Sequence, residues 1–201
     1  MNEPGLRFPV VAVRNDTLES FVGAWSRLYR YPDDHLYTDN VGRELNTARL
    51  LELFRWKNGG PLSDRKRASV LKRYDGRFDL VARAAPGAGA STILREVGGG
   101  AVWGIFFLHC LSPDRFPIFD QHVHRAACCL RGAPLDELPR CTPDRVLARY
   151  EREYLPFLRT LAPFDRRLDQ SLWSFGKAIK PASGSQLDWA GIIRAEPTQR
   201  K

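Results

Sequence analysis

The sequence predicts an all-α fold, and three observations carry that prediction: apolar residues recur at helical spacing, period-2 alternation is nearly absent, and breaker residues punctuate the periodic runs. With 201 residues and a 43% hydrophobic share, the chain can bury a core of its own, which excludes disorder throughout. No internal repeat is evident. A single helical domain is expected over 1–181, with 182–201 as a partly ordered tail anchored by Trp189, Ile192 and Ile193.

Each element has its own signals. Asp16 or Thr17 caps a first helix that runs through Phe21, Trp25 and Leu28 to Tyr31, where Pro32 stops it. A second is expected from Asn40 through Leu45, Ala48, Leu51, Leu53 and Phe54 to the break Asn58-Gly59-Gly60-Pro61. Ser63 opens a basic helix carrying Arg65, Lys66, Arg67, Val70, Leu71, Lys72, Arg73 and Tyr74, and a short helical stretch is expected from Phe78 to Ala84 before the loop 86–90. Between Thr92 and Leu111 two helices flank Gly98-Gly99-Gly100. The second is apolar all round through Val102, Trp103, Ile105, Phe106, Phe107 and Leu108, which places it at the centre of a bundle.

Ser112-Pro113-Asp114 ends that helix, Phe116-Pro117-Ile118-Phe119 reads as extended, and Asp120 stands where the cap of a helix from Gln121 to Leu130 belongs. A looser stretch, 131–141, links to a helix that Thr142-Pro143-Asp144 initiates with Pro in its first turn. Pro156 and Pro163 subdivide the chain beyond it. The last helix runs from about Phe164 to Ile179 and stops before Pro181.

Charge narrows the function classes. The sum is 31 basic minus 23 acidic residues, or +8, and the basic set holds 25 Arg against 6 Lys. Because a guanidinium fork grips two phosphate oxygens while an ammonium is a point charge, this imbalance suits a nucleic-acid partner; Arg-rich codon usage produces the same composition. No apolar run reaches bilayer length, and the opening residues, broken by Glu3, Pro4, Arg7 and Pro9, lack the apolar core of a signal peptide. A cytoplasmic protein with no membrane partner is expected, working as a monomer.

Cys110, Cys128, Cys129 and Cys141 show no Cys-x-x-Cys spacing, so neither a disulfide framework nor a metal cluster is expected. His122 and His124 point apart on a helix and have no evident third ligand, so no metal site is expected there either. Gly87-Ala88-Gly89 lacks the Lys-Ser/Thr of a phosphate loop, which argues against nucleotide hydrolysis.

The chemistry is concentrated in Leu94-Arg95-Glu96-Val97-Gly98-Gly99-Gly100-Ala101-Val102-Trp103 and Phe116-Pro117-Ile118-Phe119-Asp120-Gln121-His122-Val123-His124-Arg125. A glycine turn between two helices exposes backbone N–H groups at a helix N-terminus, where they can hold a phosphate. This order of hairpin, apolar helix and capping aspartate resembles the helix-hairpin-helix DNA glycosylase superfamily. It is locally most similar to the adenine-mismatch and endonuclease III branches, whose Pro-Ile-x-Asp-x-x-Val-x-Arg segment matches Pro117 to Arg125. The resemblance covers about residues 90–131; Phe54 to Asn58 and Leu172 to Lys177 look like signatures of a divergent subfamily.

The resemblance implies a compact helical bundle of the glycosylase type that binds double-stranded DNA, flips a damaged, mismatched or modified base and hydrolyses its N-glycosidic bond. It makes Asp120 the catalytic carboxylate, stabilising positive charge on the deoxyribose and orienting water; capping a helix is its alternative role. Gly98, Gly99 and Gly100 would grip the DNA backbone, with a monovalent cation as a possible bridge, or simply make a tight turn. His122 would touch a phosphate, and Arg125 completes the matching segment at the DNA. Trp56, Lys57 and Asn58 would form a wedge filling the gap left by the flipped base, or Trp56 would simply belong to the core. Lys177 would reach the pocket from the last helix, or complement that helix's dipole.

Two departures carry weight. Bifunctional relatives attack the sugar with a hairpin lysine, whereas here the place falls at Gly100 or Ala101 and no Lys lies between Lys72 and Lys177. Hydrolysis without a lyase step is therefore expected. No Cys follows Cys141, which removes the iron–sulfur loop of several relatives, and no cofactor is expected. The competing expectations are a non-catalytic DNA-binding module on the same scaffold and a helical adaptor whose basic charge is incidental.

Overall fold

The computed structural model describes residues 17–134 and 138–180; the expected tail and Asp16 lie outside them. Among these residues the chain is helical, with no strand. Ten α-helices succeed one another: α1 (Leu18–Ser26), α2 (His35–Thr38), α3 (Thr47–Asn58), α4 (Asp64–Tyr74), α5 (Ala90–Leu94), α6 (Ala101–Leu111), α7 (Gln121–Leu130), α8 (Pro143–Arg149), α9 (Leu155–Thr160) and α10 (Arg166–Ala178). No helix of the described residues is long and apolar enough to cross a membrane.

Side-chain caps set most of the starts. Thr17 opens α1 with a reciprocal capping box to Ser20, and Asn46, Ser63, Asp120, Thr142 and Asp165 each accept a backbone N–H in the first turn of α3, α4, α7, α8 and α10. Such bonds satisfy donors that the helix itself leaves without partners. Gly59 ends α3 in the left-handed conformation at φ 72°, which glycine adopts without steric penalty.

Three sequence expectations need correction. The first helix stops at Ser26, not Tyr31, and Tyr29 and Tyr31 turn inward as a stacked pair. The expected helix from Asn40 begins only at Thr47, because Gly42 breaks the backbone at φ 72° and Asn46 spends its side chain on the cap; the four-residue α2 precedes it unannounced. From Phe78 to Ala84 there are only turns, held by isolated bonds such as Arg83 N–H to the Asp79 carbonyl at 3.0 Å. That stretch is too short to offset the cost of nucleating a helix. Pro156 lies in the first turn of α9, and a π-helical turn over Tyr150–Tyr154 joins α8 to it.

Helix α6 is the axis of the molecule. Ile105, Phe106, Phe107 and Leu108 are fully buried, with Phe106 against Phe54 and Trp56 of α3 and Phe107 against Tyr74 of α4. Helix α10 closes the other side by packing on α7 and α1. Its approach to α7 depends on Gly176, since a Cβ there would lie 1.9 Å from the His122 carbonyl oxygen.

The segment between α6 and α7 turns back along α6. His109 Nδ1 lies 2.9 Å from the Phe116 carbonyl and its Nε2 lies 2.8 Å from the Tyr37 hydroxyl. Burial lowers the His109 pKa to about 3, so the neutral ring donates to the carbonyl and accepts from the tyrosine. Tyr150 donates to the Pro117 carbonyl at 3.1 Å. These two anchors bring Asp120 back to the middle of α6.

Candidate active site around Asp120

Asp120 sits in extended backbone at the start of α7. Its Oδ1 accepts the N–H groups of His122 at 2.8 Å and Val123 at 3.2 Å. Its Oδ2 receives the Lys57 ammonium at 3.2 Å, and the two side chains are 18% and 7% exposed. Burial pushes the carboxyl pKa up, but Lys57, the field of His122 and the two N–H donors outweigh it and hold the group below its ordinary value. One oxygen therefore caps the helix, and the other pairs with Lys57 at the edge of a cleft.

That cleft is walled by Tyr29, Tyr31, Trp56, Ile118, Arg166 and Trp173, with Lys57, Asp120 and Asp169 at its polar edge. Its volume is about 10 Å³, the least that admits one water. Tyr31 donates to the Lys57 carbonyl at 3.3 Å, and burial followed by Asp120 raises its pKa to about 12, so its hydroxyl stays protonated.

Arg166, in the first turn of α10, organises the far wall. It donates to Asp34 Oδ1 at 2.8 Å and to the Tyr29 hydroxyl at 2.9 Å, bonds Asp169, and lies 4.2 Å from the Tyr37 ring centroid. Asp169 is buried, and desolvation prevails over Arg166 to raise its pKa to about 6. The cleft thus holds two carboxyls driven apart, Asp120 kept ionised and Asp169 drawn toward the neutral form. Sequence inspection missed Tyr29, Tyr31, Asp34, Arg166 and Asp169, because they come from α10 and the irregular segment after α1, far from the matching motif.

The other expected site residues separate. Gly98, Gly99 and Gly100 form an exposed hairpin, with Gly98 at φ 66° and Gly99 at φ 95°, and α6 begins there with no side-chain cap. Next to them is a concavity of about 400 Å³ that includes Arg95, Asp144, Glu151 and Arg152 but not Asp120. Lys57 Nζ lies 5.5 Å from the Phe106 ring centroid, and Phe106 stands six residues beyond Gly100, so the pair is about 9 Å from the hairpin along α6. The Arg73 guanidinium of α4 lies beside Gly99, where a Cβ would come within 2.8 Å of its Nη1, and Arg77 donates to the Glu96 carbonyl at 2.8 Å.

The wedge expectation is corrected. Trp56 is 4% exposed, stacks on Phe106 and donates to Asp34 at 3.1 Å, so it is a wall of the cleft. Lys57 points inward to Asp120. Asn58 ties the following turn by donating to the carbonyls of Gly60 and Pro61, and accepts Lys66 Nζ at 2.6 Å. Arg125, expected at the DNA, is 7% exposed and donates to the Gly176 carbonyl at 2.6 Å, which joins α7 to α10.

His122 is half-buried against Trp173 with ring centroids 5.2 Å apart; burial lowers its pKa despite Asp120, which favours a neutral ring. Lys177 is exposed, its ammonium 4.7 Å from the Trp173 centroid at the rim. Among the described residues no group of three metal-ligating side chains occurs. No protein-family model, no curated protein and no solved structure matches this chain.

Proposed function

We propose that this protein is a DNA glycosylase of the helix-hairpin-helix type that hydrolyses the N-glycosidic bond of a flipped base, with Asp120 as the catalytic carboxylate. The observation that carries this is the state of Asp120: ionised, fixed by two backbone N–H donors and facing an aromatic cleft. As the bond to the base breaks, positive charge develops on the deoxyribose, and a preorganised carboxylate stabilises it and orients the attacking water. The glycine hairpin holds the backbone of double-stranded DNA through N–H groups at the start of α6, in the cytoplasm, with no metal in the chemistry.

Base entry requires the cleft to open, because its present volume of about 10 Å³ is far below that of a nucleobase. That same closure favours the second reading, a non-catalytic DNA-binding module. End-labelled duplexes carrying uracil, 8-oxoguanine mispairs, alkylated purines or modified cytosines separate the two. The enzyme gives alkali-revealed strand breaks with wild type and none with Asp120→Asn. Intact strands for every duplex, with equal binding by both proteins, support the module.

A further inference from the structure

The walls of the cleft are not equally fixed. Trp56 belongs to α3, and Arg166, Asp169 and Trp173 belong to α10, so the backbones behind them are held by helical hydrogen bonds. Tyr29 and Tyr31 lie in residues 27–34, a run of turns between α1 and α2. Among the described residues, the backbone–backbone hydrogen bonds of that run reach only α1 and α2. Asp33 bends it at φ 52°, a left-handed conformation uncommon for a residue with a side chain. Leu28 is 56% exposed, and the outer ion pair of Asp33 with Arg55, at 3.4 Å, is exposed on both sides and contributes little. Side chains hold the run in place instead. Three donors converge on Asp34 Oδ1: Arg166 at 2.8 Å, the Tyr29 hydroxyl at 3.0 Å and the Trp56 indole at 3.1 Å. Arg166 also donates to the Tyr29 hydroxyl at 2.9 Å, so one guanidinium of α10 grips the run near both its ends. Past Asp34 the chain is fixed again, since Leu36 and Tyr37 are buried and Tyr37 bonds His109.

We infer that residues 27–34 are a gate over the cleft, latched by Arg166 on Asp34 and Tyr29, which swings open while the surrounding helices stay folded. The inference rests on the reading of the cleft as the active site, because it supplies the opening that base entry requires. A segment tied to its neighbours by a few side-chain bonds opens at a fraction of the free energy of global unfolding. Tyr29 and Tyr31 stack on each other with centroids 6.1 Å apart, so they leave Trp56 and Trp173 as one unit. Opening breaks the three bonds at Asp34 Oδ1 and the weak bond of Tyr31 to the Lys57 carbonyl at 3.3 Å. The Trp56 indole N–H, now 4% exposed with the rest of its side chain, then meets solvent, while Phe106 and Phe107 stay buried on α6.

The test is hydrogen exchange in the free, full-length protein, followed by NMR at a series of low, sub-denaturing urea concentrations. The Trp56 indole signal is assigned by its loss in Trp56→Phe, and the amides of Phe106 and Phe107 report global unfolding. A gate gives the Trp56 indole a protection factor on the order of 100-fold below that of those amides. Its exchange is also insensitive to urea, since local opening exposes little surface, whereas that of the α6 amides accelerates. Tyr29→Phe, which removes the hydroxyl from the latch, speeds exchange of the Trp56 indole by about 10-fold, and Asp34→Asn does the same. Exchange of the indole with the same urea dependence as Phe106 and Phe107 overturns the gate, because the cleft then opens only when the molecule unfolds. An unchanged indole rate in Tyr29→Phe and Asp34→Asn overturns the latch and with it the proposal. Neither readout needs DNA. A gate that opens in a protein that leaves every damaged duplex intact survives the loss of the glycosylase assignment, and strand breaks by a protein whose Trp56 exchanges only on global unfolding show the reverse.

Discussion

At the scale of single residues, Asp120 carries opposed demands. Its pairing with Lys57 and with two backbone donors lowers its folded pKa beneath the unfolded value of about 3.9. The stabilisation is therefore fully present above about pH 4 and is lost as pH falls through the folded value. The urea midpoint of the wild type should drop on acidification from about pH 5 to about pH 2, and Asp120→Asn should show a shallower drop. At neutral pH that variant keeps a cap but leaves Lys57 without its counter-charge, and should lose about 3 kcal/mol. Asp169 has the reverse sign: with its folded pKa raised to about 6, its contribution is present below about pH 4 and is lost as pH rises through the folded value. Carboxyl titration by NMR should place the Asp169 midpoint near 6 and that of Asp120 below the ordinary range.

At the scale of elements, one close crossing and one buried helix position the site. Gly176 lets α10 lie against the start of α7, and with it come Trp173 over His122 and Arg125 bonded to the Gly176 carbonyl. Gly176→Ala should push the helices apart and lower stability by about 3 kcal/mol, read as a shift in the denaturant midpoint. Phe106 is fully buried and makes the floor on which Lys57 rests. Phe106→Ala should cost about 3–5 kcal/mol in the same measurement and loosen the Lys57–Asp120 pair. Helix α7 and its cap were legible from Asp120 and the apolar positions after it. The true start of α3 was not, because Asn40 and Asn46 are equally good caps and only the left-handed backbone at Gly42 separates them.

At the scale of the molecule, the charge of +8 has a place to act. Arg65, Lys66, Arg67 and Lys72 are exposed on α4, Arg73 of the same helix lies beside Gly99, and Arg77, just past its end, donates to the Glu96 carbonyl next to the glycine hairpin. If this surface tracks a DNA backbone, affinity for an undamaged duplex falls linearly with the logarithm of salt concentration, by about 0.9 for each phosphate neutralised. The double variant Arg67→Ala, Lys72→Ala should flatten that slope by about 2, measured by fluorescence anisotropy across a salt series. An unaltered slope would place the DNA elsewhere.

The sequence by itself determined the helical class, the glycine hairpin, the buried central helix and a carboxylate at the head of α7, because each rests on local periodicity or on a cap formed within four residues. Only the tertiary structure decided what faces that carboxylate. Lys57 is 63 positions away from it along the chain, and Arg166 is 132 positions from Asp34; such pairs have no local signature, since they exist only where α3, α6 and α10 converge. The same convergence turned Trp56 and Arg125 inward. Burial against Phe106 and a bond to the Gly176 carbonyl depend on neighbours supplied by other helices, and residue type alone does not specify which face of the fold a side chain will meet.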